Sequence, residues 1–74
     1  MVKVVFEERY QHRPLRILYR LHQLHIKNGE RVFIDSKNED DCGWYEVIDQ
    51  YVGVGTGLLS SVTQFFTLMP VTNF

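Results

Sequence analysis

The single cysteine of the chain, Cys42, limits most strongly what these residues can fold into. A small domain without a disulfide framework must be held together by its apolar core or by a partner. The chain has 74 residues, and a domain of that size buries only about 60% of the surface that its unfolded chain exposes. We therefore predict one small domain over residues 1–74, of modest stability, for which self-association is a serious option.

The composition excludes several classes of protein. Hydrophobic residues make up 45% of the chain and aromatic residues 14%, more than a disordered segment carries. Glu7 and Glu8 directly follow the first apolar residues, so this stretch lacks the apolar region of a signal peptide. An unpaired cysteine fits a reducing compartment, and we expect a cytoplasmic protein.

The charges are divided unevenly along the chain. Residues 1–34 carry seven lysines and arginines against three glutamates, whereas residues 35–74 carry one lysine against six acidic residues. Opposite charges on the two halves can attract each other within one fold or across a dimer.

Three segments have the composition and spacing of β-strands. Residues 2–9 alternate apolar residues on one face, Arg31–Ile34 is short and largely apolar, and Trp44–Val54 is rich in aromatic and β-branched residues. Between the last two strands, residues 35–41 are all polar and predict a loop.

Residues 13–28 permit two interpretations. Pro14 at the start and Gly29 after the end are typical of a helix, on which the polar residues would form one narrow stripe. As a strand, the alternating apolar residues would lead through an Asn28-Gly29 hairpin turn into the next strand. We favour the helix, because the segment is long for a strand and its alternation fails at Leu18.

A second helix is predicted over residues 58–69. Apolar residues recur there at helical spacing, Thr56 is a candidate N-cap, and Pro70 ends the pattern. The same spacing favours a core helix over a membrane segment for the uncharged residues 51–69. With the three strands, the two helices predict an α+β fold in the order β-α-β-β-α, with the helices packed on one face of a small sheet.

Residues 46–60 contain three glycines at alternate positions, Gly53, Gly55 and Gly57. The segment resembles the first glycine-rich motif of class I S-adenosylmethionine-dependent methyltransferases, in which a strand, an acidic residue and a Gly-x-Gly-x-Gly turn precede a helix. Asp49 stands further from the first glycine than in that family, and the chain is too short for its doubly wound sheet. The resemblance therefore implies only an alternative function, anion or cofactor binding at residues 53–57.

No set of side chains completes a metal or catalytic site in the sequence. His22 and His25 lie one helical turn apart and could contact zinc with His12 and Cys42, but their spacing is not that of a known ligand pattern. The acidic residues of segment 35–41 lack the glycine of a calcium loop. Since no nucleophile and base can be paired either, we predict no enzymatic activity, no metal and no cofactor.

Basic residues supply a candidate nucleic-acid surface. On a helix over residues 13–28, four cations would line one face and could follow a phosphate backbone. These are Arg13, Arg16, Arg20 and Lys27. Because the chain as a whole has a net charge of −1, whereas nucleic-acid-binding domains are generally basic, nucleic-acid binding is an alternative and not the leading hypothesis.

Large aromatic residues near the acidic loop are candidate anchors for a protein partner. They are Trp44, Tyr45 and Tyr51. The polar but uncharged face of the second predicted helix, with Ser60 and Gln64, is a candidate contact with a second subunit. The leading hypothesis is a non-enzymatic protein–protein interaction module, an inhibitor, adaptor or modulator of a larger partner, that acts as a homodimer outside the membrane.

Overall fold

The computed structural model describes residues 1–54 and 61–71. These residues form five β-strands and a single-turn 3-10 helix, and they contain no α-helix. The elements are β1 (Val2–Glu8), β2 (Pro14–Arg20), β3 (Arg31–Ile34), the 3-10 turn (Glu39–Asp41), β4 (Gly43–Val54) and β5 (Val62–Pro70). The predicted α+β class is therefore wrong, since nearly all of the regular structure is sheet. The strands predicted over 2–9, 31–34 and 44–54 are confirmed as β1, β3 and β4.

The five strands form one sheet in the order β2-β1-β5-β4-β3. β1 pairs with β5 in parallel, and the other neighbouring pairs are antiparallel. The sheet curls until it is nearly closed and barrel-like. Its two end strands, β2 and β3, are not paired with each other in the described residues. Instead, Arg16 donates a hydrogen bond to the carbonyl oxygen of Asp35 at 2.5 Å.

The inner face of the sheet holds the core. Phe66 and Leu68 of β5, Val4 of β1 and Val47 of β4 are fully buried at its centre. The rings of Phe6 and Phe66 stack with their centroids 5.5 Å apart. Full burial of one such side chain contributes about 1.5–3 kcal/mol to stability. The other buried members of the core are Val2, Leu15, Ile34 and Tyr45.

The helix predicted over residues 13–28 is wrong, and the strand interpretation is correct for its first part. Residues Pro14–Arg20 form β2, an edge strand paired along its length with the buried strand β1. Tertiary pairing overrides the helical signals here, because β1 needs a second neighbour for its backbone groups. The Asn28-Gly29 turn does not join β2 to β3 as a hairpin. Residues 21–30 run between the two strands without regular structure.

Two glutamines hold the segment 21–30 against one end of the core. The Gln64 side chain accepts a hydrogen bond from the Leu24 N–H at 2.8 Å and donates one to the Leu24 carbonyl oxygen at 2.9 Å. Gln50 donates to the carbonyl oxygen of Ile26 at 2.7 Å. Leu24 and Ile26 pack against the core, partly buried. The glutamine side-chain amides thus provide hydrogen-bond partners for the backbone groups of this segment. In a helix, those groups would have bonded to one another.

The helix predicted over residues 58–69 is also wrong. Residues 62–70 form β5, the central strand, which pairs with β1 on one side and β4 on the other; Thr56 and residues 58–60 lie outside the described residues. A buried polar residue, Gln64, interrupts the apolar alternation by which a strand is identified from sequence. In the part of the chain that is described, no helix is long and apolar enough to cross a membrane.

Candidate functional site

Phe33 and Trp44 form an exposed aromatic pair on the outer face of the β3–β4 ladder. The two residues are register partners, and the carbonyl oxygen of Trp44 accepts a hydrogen bond from the Val71 N–H at 3.0 Å, on the other side of β4. The Phe33–Trp44 pair is therefore a non-hydrogen-bonded pair, in which side chains lie close. Its rings meet edge to face with centroids 5.5 Å apart. Even so, 57% of Trp44 and 56% of Phe33 remain exposed.

An open cavity of about 660 Å³ adjoins Trp44. Its apolar wall includes Tyr45, Pro70 and Val71, and Arg31 and Asp40 place opposite charges on its rim. An apolar wall of this kind suits an apolar side chain of a binding partner, and the few charged groups on the rim can orient the polar groups next to that side chain. The aromatic pair and this cavity, Phe33, Trp44 and the lining residues, are called the aromatic site below.

Arg13 fixes the acidic 3-10 turn beside the aromatic site. Its guanidinium forms hydrogen bonds of 2.7 and 2.8 Å with the Asp41 carboxylate and of 2.9 and 3.2 Å with Glu8. The hydrogen bonds from Arg13 lower the pKa of Asp41, because they favour its charged form. The Tyr45 hydroxyl donates to the carbonyl oxygen of Asp41 at 2.7 Å, and burial raises the pKa of that hydroxyl. The turn is thereby anchored to both halves of the chain.

The predicted partner-binding residues divide between surface and interior. Trp44 and Tyr51 are exposed, although the Tyr51 hydroxyl is engaged with Glu7. Tyr45 and Gln64 are buried. Tyr45 lies in the core, and the side chain of Gln64 is hydrogen-bonded to the backbone of Leu24, an arrangement called the Gln64 clamp below. Ser60 lies outside the described residues. Sequence reasoning missed Phe33, although the alternation Arg31-Val32-Phe33-Ile34 places it on the face opposite the two aliphatic residues.

The four predicted nucleic-acid-binding residues do not form a helical stripe. Arg13 and Arg16 bind the acidic turn and the Asp35 carbonyl oxygen, as described above. Arg20 is exposed at the end of β2, and Lys27 is exposed in the irregular segment 21–30. A nucleic-acid ligand would have to compete for two of the four cations, and nucleic-acid binding stays a prediction.

Glu7 is a buried carboxylate on the outer face that sequence reasoning did not identify. Only 4% of the residue is exposed. Its Oε1 accepts a hydrogen bond from the Tyr51 hydroxyl at 2.6 Å and lies 3.1 Å from Nδ1 of His12. The hydrogen bond to Glu7, with a smaller contribution from burial, raises the pKa of Tyr51 to about 12. His12 has a φ of 51°, in the left-handed region that non-glycine residues seldom occupy.

An apolar row crosses the outer face of four strands. The strand registers align Tyr51 with Phe65, Phe65 with Val5, and Val5 with Ile17. The rings of Tyr51 and Phe65 stack with centroids 4.7 Å apart. Tyr51 and Ile17, at the two ends of the row, remain 46% and 42% exposed. These four residues, Tyr51, Phe65, Val5 and Ile17, are called the outer row below. Tyr51 is the member of the row that was predicted from the sequence as a site residue.

The histidine and glycine motifs of the sequence do not converge on a site. Among residues 1–54 and 61–71, no three histidine, cysteine or acidic side chains come together as metal ligands would. Cys42 is exposed as a free thiol. Gly53 lies inside β4, where an added Cβ would only touch the Phe65 ring at 3.7 Å. Residues 55–57 lie outside the described residues, and ligand binding at 53–57 stays a prediction.

Comparisons with protein-family models, with curated proteins and with solved structures gave no significant match to this chain.

Proposed function

We propose that the chain is a non-enzymatic protein-interaction module that binds a larger protein through the aromatic site. The observation that carries the proposal is the exposed Phe33–Trp44 pair beside an open, apolar-walled cavity. Tryptophan is the residue type most enriched among those that dominate binding energies. Its contact with Phe33 restricts the ring before a partner arrives, which lowers the entropic cost of binding.

The charges near the aromatic site favour a partner segment with basic residues. Glu39 and Asp40 of the 3-10 turn are exposed, whereas the carboxylate of Asp41 is neutralised by Arg13. Arg31 is the basic residue on the cavity rim. A partner that inserts an apolar side chain beside Trp44 and places a lysine or arginine near Glu39 and Asp40 would match both features.

The absence of enzymatic activity is part of the proposal. Of the groupings of titratable side chains described above, the one that contains a histidine and a hydroxyl is Glu7 with Tyr51 and His12. Because the hydrogen bond with Glu7 raises the pKa of Tyr51 to about 12, the hydroxyl stays protonated near neutral pH, which is opposite to the change that activates a nucleophile. The exposed thiol of Cys42 supports a cytoplasmic location, where thiols remain reduced.

Self-association is proposed through a different surface, the outer row from Tyr51 to Ile17. The row carries no charge and is exposed at both ends, so that a second copy could cover it in a symmetric contact. Sedimentation of the wild-type chain over a concentration series should show a dimer. Ile17→Glu should give a monomer of unchanged fold, whereas Trp44→Ala should leave the dimer intact.

Affinity capture with matched variants tests the proposed partner binding. Proteins captured by the wild type should be lost with Trp44→Ala and with Phe33→Ala. Tyr10→Ala removes another exposed aromatic ring, 76% exposed in the β1–β2 turn, and should capture the same proteins as the wild type. A captured set that is identical for all four chains contradicts the assignment of the aromatic site.

A further inference from the structure

A gap separates the two end strands of the sheet, β2 and β3. Following the pairings from β2 through β1, β5 and β4 to β3 shows that the two end strands run antiparallel. Two cavities lie along the gap. One, of about 490 Å³, lies between residues 14–17 and residues 35–37. The other, of about 300 Å³, has Phe6, Leu18, Val32 and Ile34 among its lining residues.

The edge of β3 directs backbone hydrogen-bonding groups into this gap. Val47 N–H donates to the Glu30 carbonyl oxygen at 2.9 Å, so residues 30, 32 and 34 face β4 in the antiparallel ladder. Arg31 and Phe33, at the intervening positions, therefore direct their N–H and C=O groups away from β4. Beyond the end of β3, the Arg16 guanidinium donates to the Asp35 carbonyl oxygen, where a neighbouring strand would donate an N–H.

The end strands keep apolar side chains exposed beside the features that usually protect sheet edges. Edge strands in soluble proteins commonly carry charges, proline or bulges that discourage pairing, and β2 carries Pro14, Arg16 and Arg20. In β2, Ile17 and Tyr19 are 42% and 66% exposed, and Leu21 just beyond it is 79% exposed. Phe33 of β3 is 56% exposed. Apolar side chains are thus available on both sides of the gap, next to the free backbone groups of β3.

The charges beside the gap are mainly positive. Four cations flank it against two carboxylates, giving a net charge of +2; the residues are Arg16, Arg20, Arg31 and Lys37 against Glu30 and Asp35. None of the four takes part in a salt bridge within the described residues. A ligand with acidic side chains would complement them.

We propose that the gap accepts an extended, acidic segment of another protein, which adds a sixth strand along the free edge of β3. The amides and carbonyls of Arg31 and Phe33 would bond the backbone of the segment, as in other cases of strand addition. Its apolar side chains would fill the cavity beside Leu18 and Val32, and its acidic side chains would meet Arg16 and Lys37. The gap shares Arg31 and Phe33 with the aromatic site, but it uses their backbone groups for the added strand and favours a partner of opposite charge.

Synthetic peptides test the proposal without knowledge of the natural partner. The probe is an acetylated octapeptide in which glutamate alternates with valine. A first control replaces each glutamate by lysine, and a second N-methylates the backbone amides while keeping the side chains. Calorimetry gives the affinity, and the backbone amide signals of Arg31 and Phe33 in a nitrogen–proton correlation spectrum report the position. The glutamate peptide should bind and shift these two signals, whereas both controls should fail.

Two charge-reversal variants distinguish the gap from general electrostatic attraction. Lys37→Glu changes an exposed residue of the gap lining and should weaken binding of the glutamate peptide about fivefold, the effect of an exposed charge pair. Arg9→Glu makes the same change in charge near β5, where Arg9 contacts Met69, and should leave the affinity unchanged. Equal binding of the N-methylated peptide, equal loss in both variants, or no binding of the glutamate peptide at millimolar concentration overturns the proposal. Binding of oligothymidylate that is lost in Lys37→Glu, with no peptide binding, also overturns it in favour of a nucleic acid.

Discussion

The hydroxyl of Tyr51 donates a hydrogen bond of 2.6 Å to the carboxylate of Glu7, a residue 44 positions earlier in the chain. β5 lies between the strands that carry them, so this bond crosses the central strand on the outer face. It supplies a hydrogen-bond donor to the carboxylate of a residue that is only 4% exposed, and a carboxylate without such a partner is costly to bury.

Titration of Tyr51 tests this bond directly. We expect the pKa of Tyr51 to be about 12 and to fall toward the ordinary value of 10 in Glu7→Gln, because the charged acceptor is gone. The phenolate absorbance is measured against pH for the chain with Tyr51 and for a Tyr51→Phe variant. The difference between the two curves is the titration of Tyr51, separated from the titrations of the other tyrosines. The raised pKa stabilises the fold fully below pH 10, and that stabilisation should disappear as the pH rises from 10 to 12. An unchanged Tyr51 titration in Glu7→Gln would contradict the assigned cause.

The clamp of Gln64 on Leu24 should contribute measurably to stability. Gln64→Ala removes both hydrogen bonds and leaves the Leu24 backbone groups without protein partners, so we expect a loss of about 1–3 kcal/mol in the free energy of unfolding. Urea unfolding followed by Trp44 fluorescence measures it, and faster exchange of the Leu24 amide proton should accompany it. Gln23→Ala, at an exposed position one residue from Leu24, is the control and should unfold like the wild type.

The Arg13–Asp41 pair predicts a specific sensitivity to acid. Arg13 lowers the pKa of Asp41 below its ordinary value of 3.8, so the pair stabilises the fold above that value and the stabilisation disappears as the pH falls through the lowered one. Urea midpoints measured between neutral pH and pH 2 should fall more steeply for the wild type than for Asp41→Asn. Parallel curves for the two chains would show that the carboxylate contributes nothing to acid unfolding.

The aromatic site and the core should respond differently to the loss of a phenylalanine. Phe66→Ala removes a fully buried ring and should destabilise the fold by about 3–5 kcal/mol. Phe33→Ala removes a ring that is more than half exposed. Its loss in the free energy of unfolding should be well under half of that in Phe66→Ala. Thermal unfolding of both variants measures the difference. A large loss in Phe33→Ala would mean that the ring serves the fold and would weaken its assignment to partner binding.

The strands that could be predicted from sequence are those in which alternation and β-branched composition agree. In β3, the inward residues Val32 and Ile34 alternate with the outward residues Arg31 and Phe33. In β4, Trp44, Tyr45 and Val47 supply the aromatic and β-branched residues that strands prefer. The two wrong helices share a cause, which is that long-range partners decide their conformation. Pro14 and Gly29 carry local helix signals, but β1 pairs with the first part of this segment, and Gln64 binds the backbone of Leu24 in the remainder.

The candidate site was predictable only in part for a similar reason. The exposure of Trp44 and the burial of Tyr45 follow from alternation along β4 once the inner face is known. The bond between Glu7 and Tyr51 and the gap between β2 and β3 depend on the order of strands in the sheet, for which the sequence carries no local signal.

The parallel pairing of β1 with β5 has a consequence for biosynthesis. During translation β1 leaves the ribosome before the other described strands, yet the neighbour that completes its hydrogen bonding, β5, comes last among them. The β1–β2 hairpin must therefore remain with one apolar edge open until the later strands are made, a situation in which newly made chains aggregate. Such a high contact order also predicts slow folding. A factor that shields this hairpin should raise the yield of native protein, and a permuted chain that begins with β5 and continues into β1 should fold faster.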